Sequence, residues 1–235
     1  MRLDNYIYNE GLSNSRNKAK ELIKNKKVKV NGVVVDKPSF EVEDVEIEIL
    51  QDIVYVSRAG YKLEGFLNSY NMDIKDKECL DIGSSTGGFV EVLLQKGAKS
   101  VTAVDVGSDQ LHESLREDKR INLFENTNIK DFKPDKTFQV VTCDVSFTRI
   151  ENIASDIDRL CKEDIIILFK PQFEVGKNVK RDKKGVVKDK KAIKRAEEAF
   201  ESLAFKLGWK LMKKEESSLK GKDGNVEIFY HFKKQ

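Results

Sequence analysis

CLDIGSSTGGFVEV, residues 79–92, reads as a buried strand that runs into a glycine-rich turn and then opens a helix. Leu80 and Ile82 are apolar strand positions. Gly83, Gly87 and Gly88 let the backbone turn tightly and come close to a ligand. Phe89, Val90, Leu93 and Leu94 then recur at helical spacing. The product is a group of backbone N–H donors beside a helix N-terminus, ready to receive a polar ligand.

Downstream, apolar runs alternate with helical patterns. KSVTAVDVG (99–107) is a second strand closing on Asp105, and INLFENTNIKDF (121–132) gives a third strand with Asn128 and Ile129 in the loop after it. TFQVVTCDVSF (137–147) is a fourth, ending in Asp144. DIIILFKPQFE (164–174) is a fifth, whose aliphatic run stops at Lys170-Pro171. Strands alternating with helices imply a parallel sheet with right-handed crossovers and a ligand at the strands' carboxyl ends. WKLMKKEESSL (209–219) and VEIFYHFKK (226–234) read as two more strands joined across GKDGN, which adds an antiparallel C-terminal strand.

The turn's spacing restricts its ligand. D-x-G-x-x-x-G-G is not the dinucleotide G-x-G-x-x-G, and no Lys-Ser/Thr follows, so a P-loop is excluded. Asp105 lies 24 residues after Asp81, where a Rossmann-type site grips ribose hydroxyls. D-x-G-x-x-x-G followed by a strand-end acid fits S-adenosylmethionine (SAM), which carries no phosphate and needs no lysine in the turn; a dinucleotide is the alternative.

The first 50 residues read differently. A short helix stops near Gly11, and a second follows, with Ser13 or Ser15 as N-cap and Ala19, Leu22 and Ile23 on its inner face. Arg16, Lys20, Lys24 and Lys27 form a basic stripe along it. VKVNGVVVD is a hairpin through Asn31-Gly32, and VEDVEIEIL supplies a third strand. Ser15-Arg16, Ala19-Lys20, Leu22-Ile23 and Val28–Gly32 resemble the S4 RNA-binding domain, a small α+β fold. That resemblance implies that Arg16, Lys20 and Lys27 contact RNA phosphates, which give salt-sensitive affinity and little sequence information. The expected organisation is an S4-like domain over 1–50, a linker over 51–56 and the second domain over 57–235. In the helix after the linker, Tyr61, Leu63, Phe66 and Leu67 are expected to face inward and Lys62 to point elsewhere.

Composition narrows the class. The 235 residues carry a net charge of +3, but residues 1–40 hold +5 and residues 177–195 hold +8. Two basic blocks suit a polyanion. No apolar run approaches the ~18 residues of a membrane span, and no signal peptide is recognisable, so the expected location is the cytoplasm. The three cysteines (79, 143, 161) lie in or beside apolar runs, as reduced buried thiols do. His112 and His231 are far apart, so no metal site is expected.

Lys62, Asp144, Lys170 and Glu227 stand out together. A lysine directly after an apolar run is costly unless it reaches a site or a partner. S-R-x-x-x-K-L around Lys62, D-I-G-S-S-T-G-G-F, C-D-V-S-F around Asp144 and F-K-P-Q-F-E around Lys170 resemble the FtsJ-like ribose 2′-O-methyltransferases. With the S4-like segment in front, the whole chain resembles the TlyA family of ribosomal RNA 2′-O-methyltransferases. The resemblance implies a Rossmann-like SAM-dependent methyltransferase domain and transfer of a methyl group to a ribosomal RNA ribose, a cytidine, with the large subunit favoured. It implies catalytic roles for Lys62, Asp144, Lys170 and Glu227. Asp81, Gly83, Ser84, Gly87, Gly88 and Phe89 would line the methionine side, with Asp144 beside them. Asp105 would hold the ribose, and Asn128 and Ile129 would flank the adenine. Arg58, Lys180, Arg181 and Lys188 would meet RNA backbone near the substrate mouth. A monomer is taken as the working state.

A ribose 2′-OH is a poor nucleophile and must lose its proton as it attacks. Lys170 is the expected base. A lysine normally titrates near 10.4 and must be lowered to act at neutral pH, which desolvation and a second cation favour and carboxylates oppose. A lysine that keeps its charge would instead stabilise the developing alkoxide. The competing readings are an inactive SAM- and RNA-binding ribosome-assembly factor and a membrane-active haemolysin. The second lacks a spanning segment or any other means of insertion.

Overall fold

The computed structural model describes residues 1–13, 15–50, 55–70 and 72–235. It divides into two units, Met1–Val54 and Tyr55–Gln235. Of the expected linker, residues 51–54 lie outside the described residues.

In the first unit, helices α1 (Leu3–Asn9) and α2 (Arg16–Lys24) precede a three-stranded antiparallel sheet, ordered β2-β1-β3, of β1 (Val28–Val30), β2 (Val33–Val34) and β3 (Ile47–Ile49). Ser15 is the N-cap of α2, its hydroxyl accepting from the Lys18 amide at 3.2 Å. Asn31 (φ +48°) and Gly32 (φ +80°) both take the left-handed conformation, which matches the twist of a tight hairpin. Leu3, Ile7, Ala19, Ile23 and Val28 are fully buried, while Leu22 is half-buried at the edge of this core. Asp4 is also fully buried. Arg2 and Arg16, at 3.0 and 3.1 Å, hold its carboxyl below the usual carboxylate range, the Arg2 hydrogen bond most strongly.

The second unit is a seven-stranded sheet in the order β6-β5-β4-β7-β8-β10-β9. Helix α3 (Arg58–Ser69) leads into β4 (Glu78–Ile82), α4 (Gly88–Gln95), β5 (Ser100–Val104), α5 (Glu113–Arg116) and β6 (Ile121–Phe124). The chain then returns to the other side of β4 with β7 (Phe138–Cys143), α6 (Ala154–Leu160) and β8 (Cys161–Phe169). These five strands are parallel. After α7 (Pro171–Glu174) and α8 (Lys190–Lys206), β9 (Trp209–Glu216) forms the edge, and β10 (Ile228–Lys234) fits antiparallel between it and β8. Each face of the sheet is covered. Leu63, Phe66 and Leu67 of α3 and Val90 and Leu93 of α4 pack on one side, with Phe66 stacked on Phe229 of β10 at 4.7 Å. Ile157 of α6 and Phe200 of α8 pack on the other, against Val141, Ile165 and Tyr230. The strand order reverses between β4 and β7, so a crevice opens at their carboxyl ends.

One sequence expectation is reversed. Tyr61 is exposed and Lys62 is buried at 8% exposure. The inner stripe of α3 takes in Lys62 because its ammonium finds a carboxylate 165 residues along the chain.

Candidate active site

The glycine-rich turn joins the ends of three strands. The Gly83 amide donates to Val104 O at 2.9 Å, and the Asp144 amide donates to Ile82 O at 3.0 Å. Gly83 has φ +80°, and a Cβ there would lie 3.1 Å from Asp144 O. Only glycine lets the turn lie this close to the end of β7. Beside it opens a cavity of about 550 Å³ whose lining includes Gly83, Asp105, Asn128, Ile129 and Asp144. Asp105 is held at both oxygens by backbone amides, those of Ser85 and Gly107, each at 2.8 Å.

Behind the turn lies Asp81, 1% exposed, with Oδ1 accepting from the Thr142 hydroxyl at 2.6 Å and Oδ2 without a hydrogen-bond partner. Burial pushes its carboxyl up to about 7; the Thr142 bond opposes the rise, and the charges of Asp144 and Asp105 add to it. Ser84 Oγ is likewise buried and unpartnered. Two orphaned oxygens among three acids fit a ligand that brings positive charge and hydrogen-bond donors. Of the turn, Gly83 and Ser85 line the cavity, whereas Asp81, Ser84, Gly87, Gly88 and Phe89 lie outside its lining. Gly87 packs on Leu111 and Leu115, Gly88 packs on Ser57 and Gly60, and Phe89 is buried against Phe229.

The four charged residues meet as two ion pairs. Lys170 Nζ lies 2.7 Å from Asp144 Oδ1 and donates to Ser146 Oγ at 3.0 Å. Lys62 Nζ lies 2.6 Å from Glu227 Oε2, and both side chains are almost wholly buried. The pairs share one electrostatic neighbourhood. The Asp144 carboxyl is raised by burial, lowered by Lys170 and Lys62 and raised again by Glu227. Strand ends explain the placement: Asp144 and Lys170 directly follow β7 and β8, and Glu227 directly precedes antiparallel β10, so all three lie at the same end of the sheet.

The sequence reading passed over Gln110, Ser146 and Phe147, which also line the cavity. It passed over Gln172, which donates to Glu227 Oε1 at 3.3 Å. Ser146, Phe147 and Gln172 belong to the C-D-V-S-F and K-P-Q-F-E motifs, so position within those motifs was the available signal.

The expected RNA contacts divide into two groups. Lys180 and Lys188 are exposed, with Lys188 paired to Asp182 at 3.0 Å, and Lys20 and Lys27 are half-buried. Arg58 donates to Lys220 O at 3.0 Å. Arg16 is tied to Asp4. Arg181 turns inward and donates to four backbone carbonyls, those of Gln172, Gly176, Lys177 and Val179. Among the described residues there is no cluster able to hold a metal ion, and no helix is long and apolar enough to cross a membrane.

A mostly parallel seven-stranded sheet with antiparallel C-terminal strands, carrying its cavity at the glycine-rich turn, is the Rossmann-like fold of the SAM-dependent methyltransferases. Residues 55–234 match the FtsJ-like methyltransferase model and residues 1–46 match the S4 domain, and the chain belongs to the FtsJ-like methyltransferase family. It is 49% identical, over 99% of both chains, to the 23S rRNA (cytidine-2′-O)-methyltransferase TlyA of Campylobacter jejuni. It is 37% identical to the 16S/23S rRNA (cytidine-2′-O)-methyltransferase TlyA of Mycobacterium tuberculosis, over 100% of this chain and 90% of the relative. A solved structure from Streptococcus thermophilus described as a hemolysin superposes with a TM-score of 0.73 at 33% identity, covering 100% of this chain and 88% of that one.

Proposed function

We propose that the protein transfers a methyl group from SAM to the 2′-OH of a cytidine in ribosomal RNA, with the large subunit as its main target. The observation that carries this is the pairing of Lys170 with Asp144 and of Lys62 with Glu227 at the carboxyl ends of the strands beside the cavity. The unpartnered Asp81 Oδ2 and Ser84 Oγ suit the amino-acid end of SAM, and Asp105, Asn128 and Ile129 suit its nucleoside. SAM supplies a methyl group whose bond to sulfur breaks as its bond to the ribose oxygen forms. Lys170, having released its own proton to solvent, takes the hydroxyl proton as the free amine, held in place by Asp144 and Ser146. Lys62, held by Glu227, adds a second positive charge that stabilises the oxygen as it becomes an alkoxide. Alignment of the hydroxyl with the methyl group accounts for much of the rate. In this reading the S4 unit and the exposed lysines of the 177–191 segment hold RNA backbone, and the work takes place in the cytoplasm. The preference for the large subunit rests on the 49% relative, whose name specifies 23S rRNA.

The test is transfer of labelled methyl from SAM to unmodified large and small ribosomal subunits. Wild type is expected to label the large subunit, and Lys170→Ala to lower kcat by about 10²–10⁴-fold. Label on neither subunit, with SAM still bound, would favour the inactive assembly factor. Label that survives Lys170→Ala would overturn the assignment of the base.

A further inference from the structure

We infer that Gln172 and Gly221 are positioning residues for Glu227, and through it for Lys62, an inference that rests on the catalytic reading of that pair. Glu227 is 3% exposed, and its carboxylate is enclosed on three sides. Lys62 Nζ takes Oε2 at 2.6 Å, and Gln172 Nε2 donates to Oε1 at 3.3 Å. The third side is bare backbone: a Cβ on Gly221 would lie 2.5 Å from Oε1 and 3.2 Å from the carboxyl carbon.

Each contact has a physical role. A carboxylate held at one oxygen swings about its last torsion, whereas one held at both presents a fixed edge to its lysine. The amide at Gln172 has one workable orientation, because turning its carbonyl toward Glu227 would set oxygen against oxygen. Gln172 Oε1 is buried and has no hydrogen-bond partner, so the side chain retains this position against a desolvation cost. Gln172 is itself anchored, since its backbone carbonyl accepts from Arg181 at 3.1 Å. On the other side, the Gly221 amide donates to Asn225 O at 2.8 Å, and Asn225 Oδ1 accepts from the Val187 amide at 3.0 Å. The basic segment and the 221–227 loop therefore meet around this one carboxylate. The fold needs no side chain at position 221, and the backbone there lies outside the left-handed region, so it does not require glycine. What a methyl group would meet is the carboxylate of Glu227.

The test uses the full chain, unmodified large subunits and labelled SAM, with kcat, both KM values and thermal stability measured for wild type, Gln172→Leu and Gly221→Ala. Gln172→Leu removes the donor and Gly221→Ala pushes the carboxylate away. Each is expected to lower kcat by about 10–100-fold with KM for SAM little changed, as misplacement of a working group does. KM for the large subunit should be little changed as well, so that the loss falls on kcat in both variants. A merely structural role would lower thermal stability without this split between kcat and KM. Folded variants with wild-type kcat would overturn the inference. If Gln172→Leu does not fold, Gly221→Ala decides. If wild type itself transfers no methyl group, the proposed function fails and this inference fails with it. If wild type is active and the variants are unaltered, this inference alone fails.

Discussion

In the proposed function, the buried Asp81 would tie ligand binding to pH. Its carboxyl titrates at about 7 in the free protein, against 3.8 for the exposed group. A ligand that brings positive charge to the turn favours the ionised form and lowers that value. SAM binding near pH 6.5 is therefore expected to release a proton, and affinity should rise with pH up to about 7. Calorimetry in two buffers of different ionisation heat would detect the proton, and Asp81→Asn should abolish its release. Stability carries the opposite sign. Between about 4 and 7 the folded chain binds more protons than the unfolded chain, so this residue makes stability fall as pH rises through that window. Lys62 shows what a sequence conceals at this scale. One lysine among many on an amphipathic helix reads as solvated, and its burial depends on an acid 165 residues away that reads equally as a surface residue. Only motif resemblance linked the two, whereas Asp105 and Asp144 were legible directly, as acids ending apolar strands.

Local rules predicted most elements well. The Asn31-Gly32 hairpin, the Ser15 cap and the strand–turn–helix at 78–95 each follow from short-range chemistry. The stop of α2 follows a less common rule. Lys26 sits just beyond it at φ +58°, the left-handed conformation that glycine adopts without strain. Lys26→Gly is expected to stabilise the first unit by about 0.5–1 kcal/mol, measured by urea denaturation. No change, or a loss, would mean that the turn tolerates a side chain at no cost. The loop after β7 was the least legible element. It carries Ser146 to Lys170 and leaves Phe147 91% exposed at φ +64°, its ring 5.1 Å from Phe173. Its conformation is fixed from a distance, by Glu174 Oε1 accepting from the Ile150 amide at 3.0 Å. No periodicity encodes such a contact.

Across the whole molecule, two basic blocks carry +5 and +8 in a chain of net +3. Affinity for ribosomal subunits is expected to fall steeply with salt. Replacing Lys180 or Lys188 by alanine should reduce the slope of log affinity against log salt by about 0.7–0.9 for each lost phosphate contact. Arg181→Ala should behave differently and disturb the loop itself, because that guanidinium is committed to four carbonyls. Binding curves at several salt concentrations separate these cases, and an unchanged slope for both lysines would remove the segment from the RNA contact surface. Charge made a polyanion partner legible, yet it could not separate arginines that hold the fold from lysines that face solvent. The placement of Glu227 just before β10 has a consequence for synthesis. Translation delivers Lys62, the glycine-rich turn, Asp144 and Lys170 long before the strand that inserts between β8 and β9. Until that strand emerges, Lys62 lacks its Glu227 partner and β8 has an open edge, so the buried ion pair and the sheet are completed together.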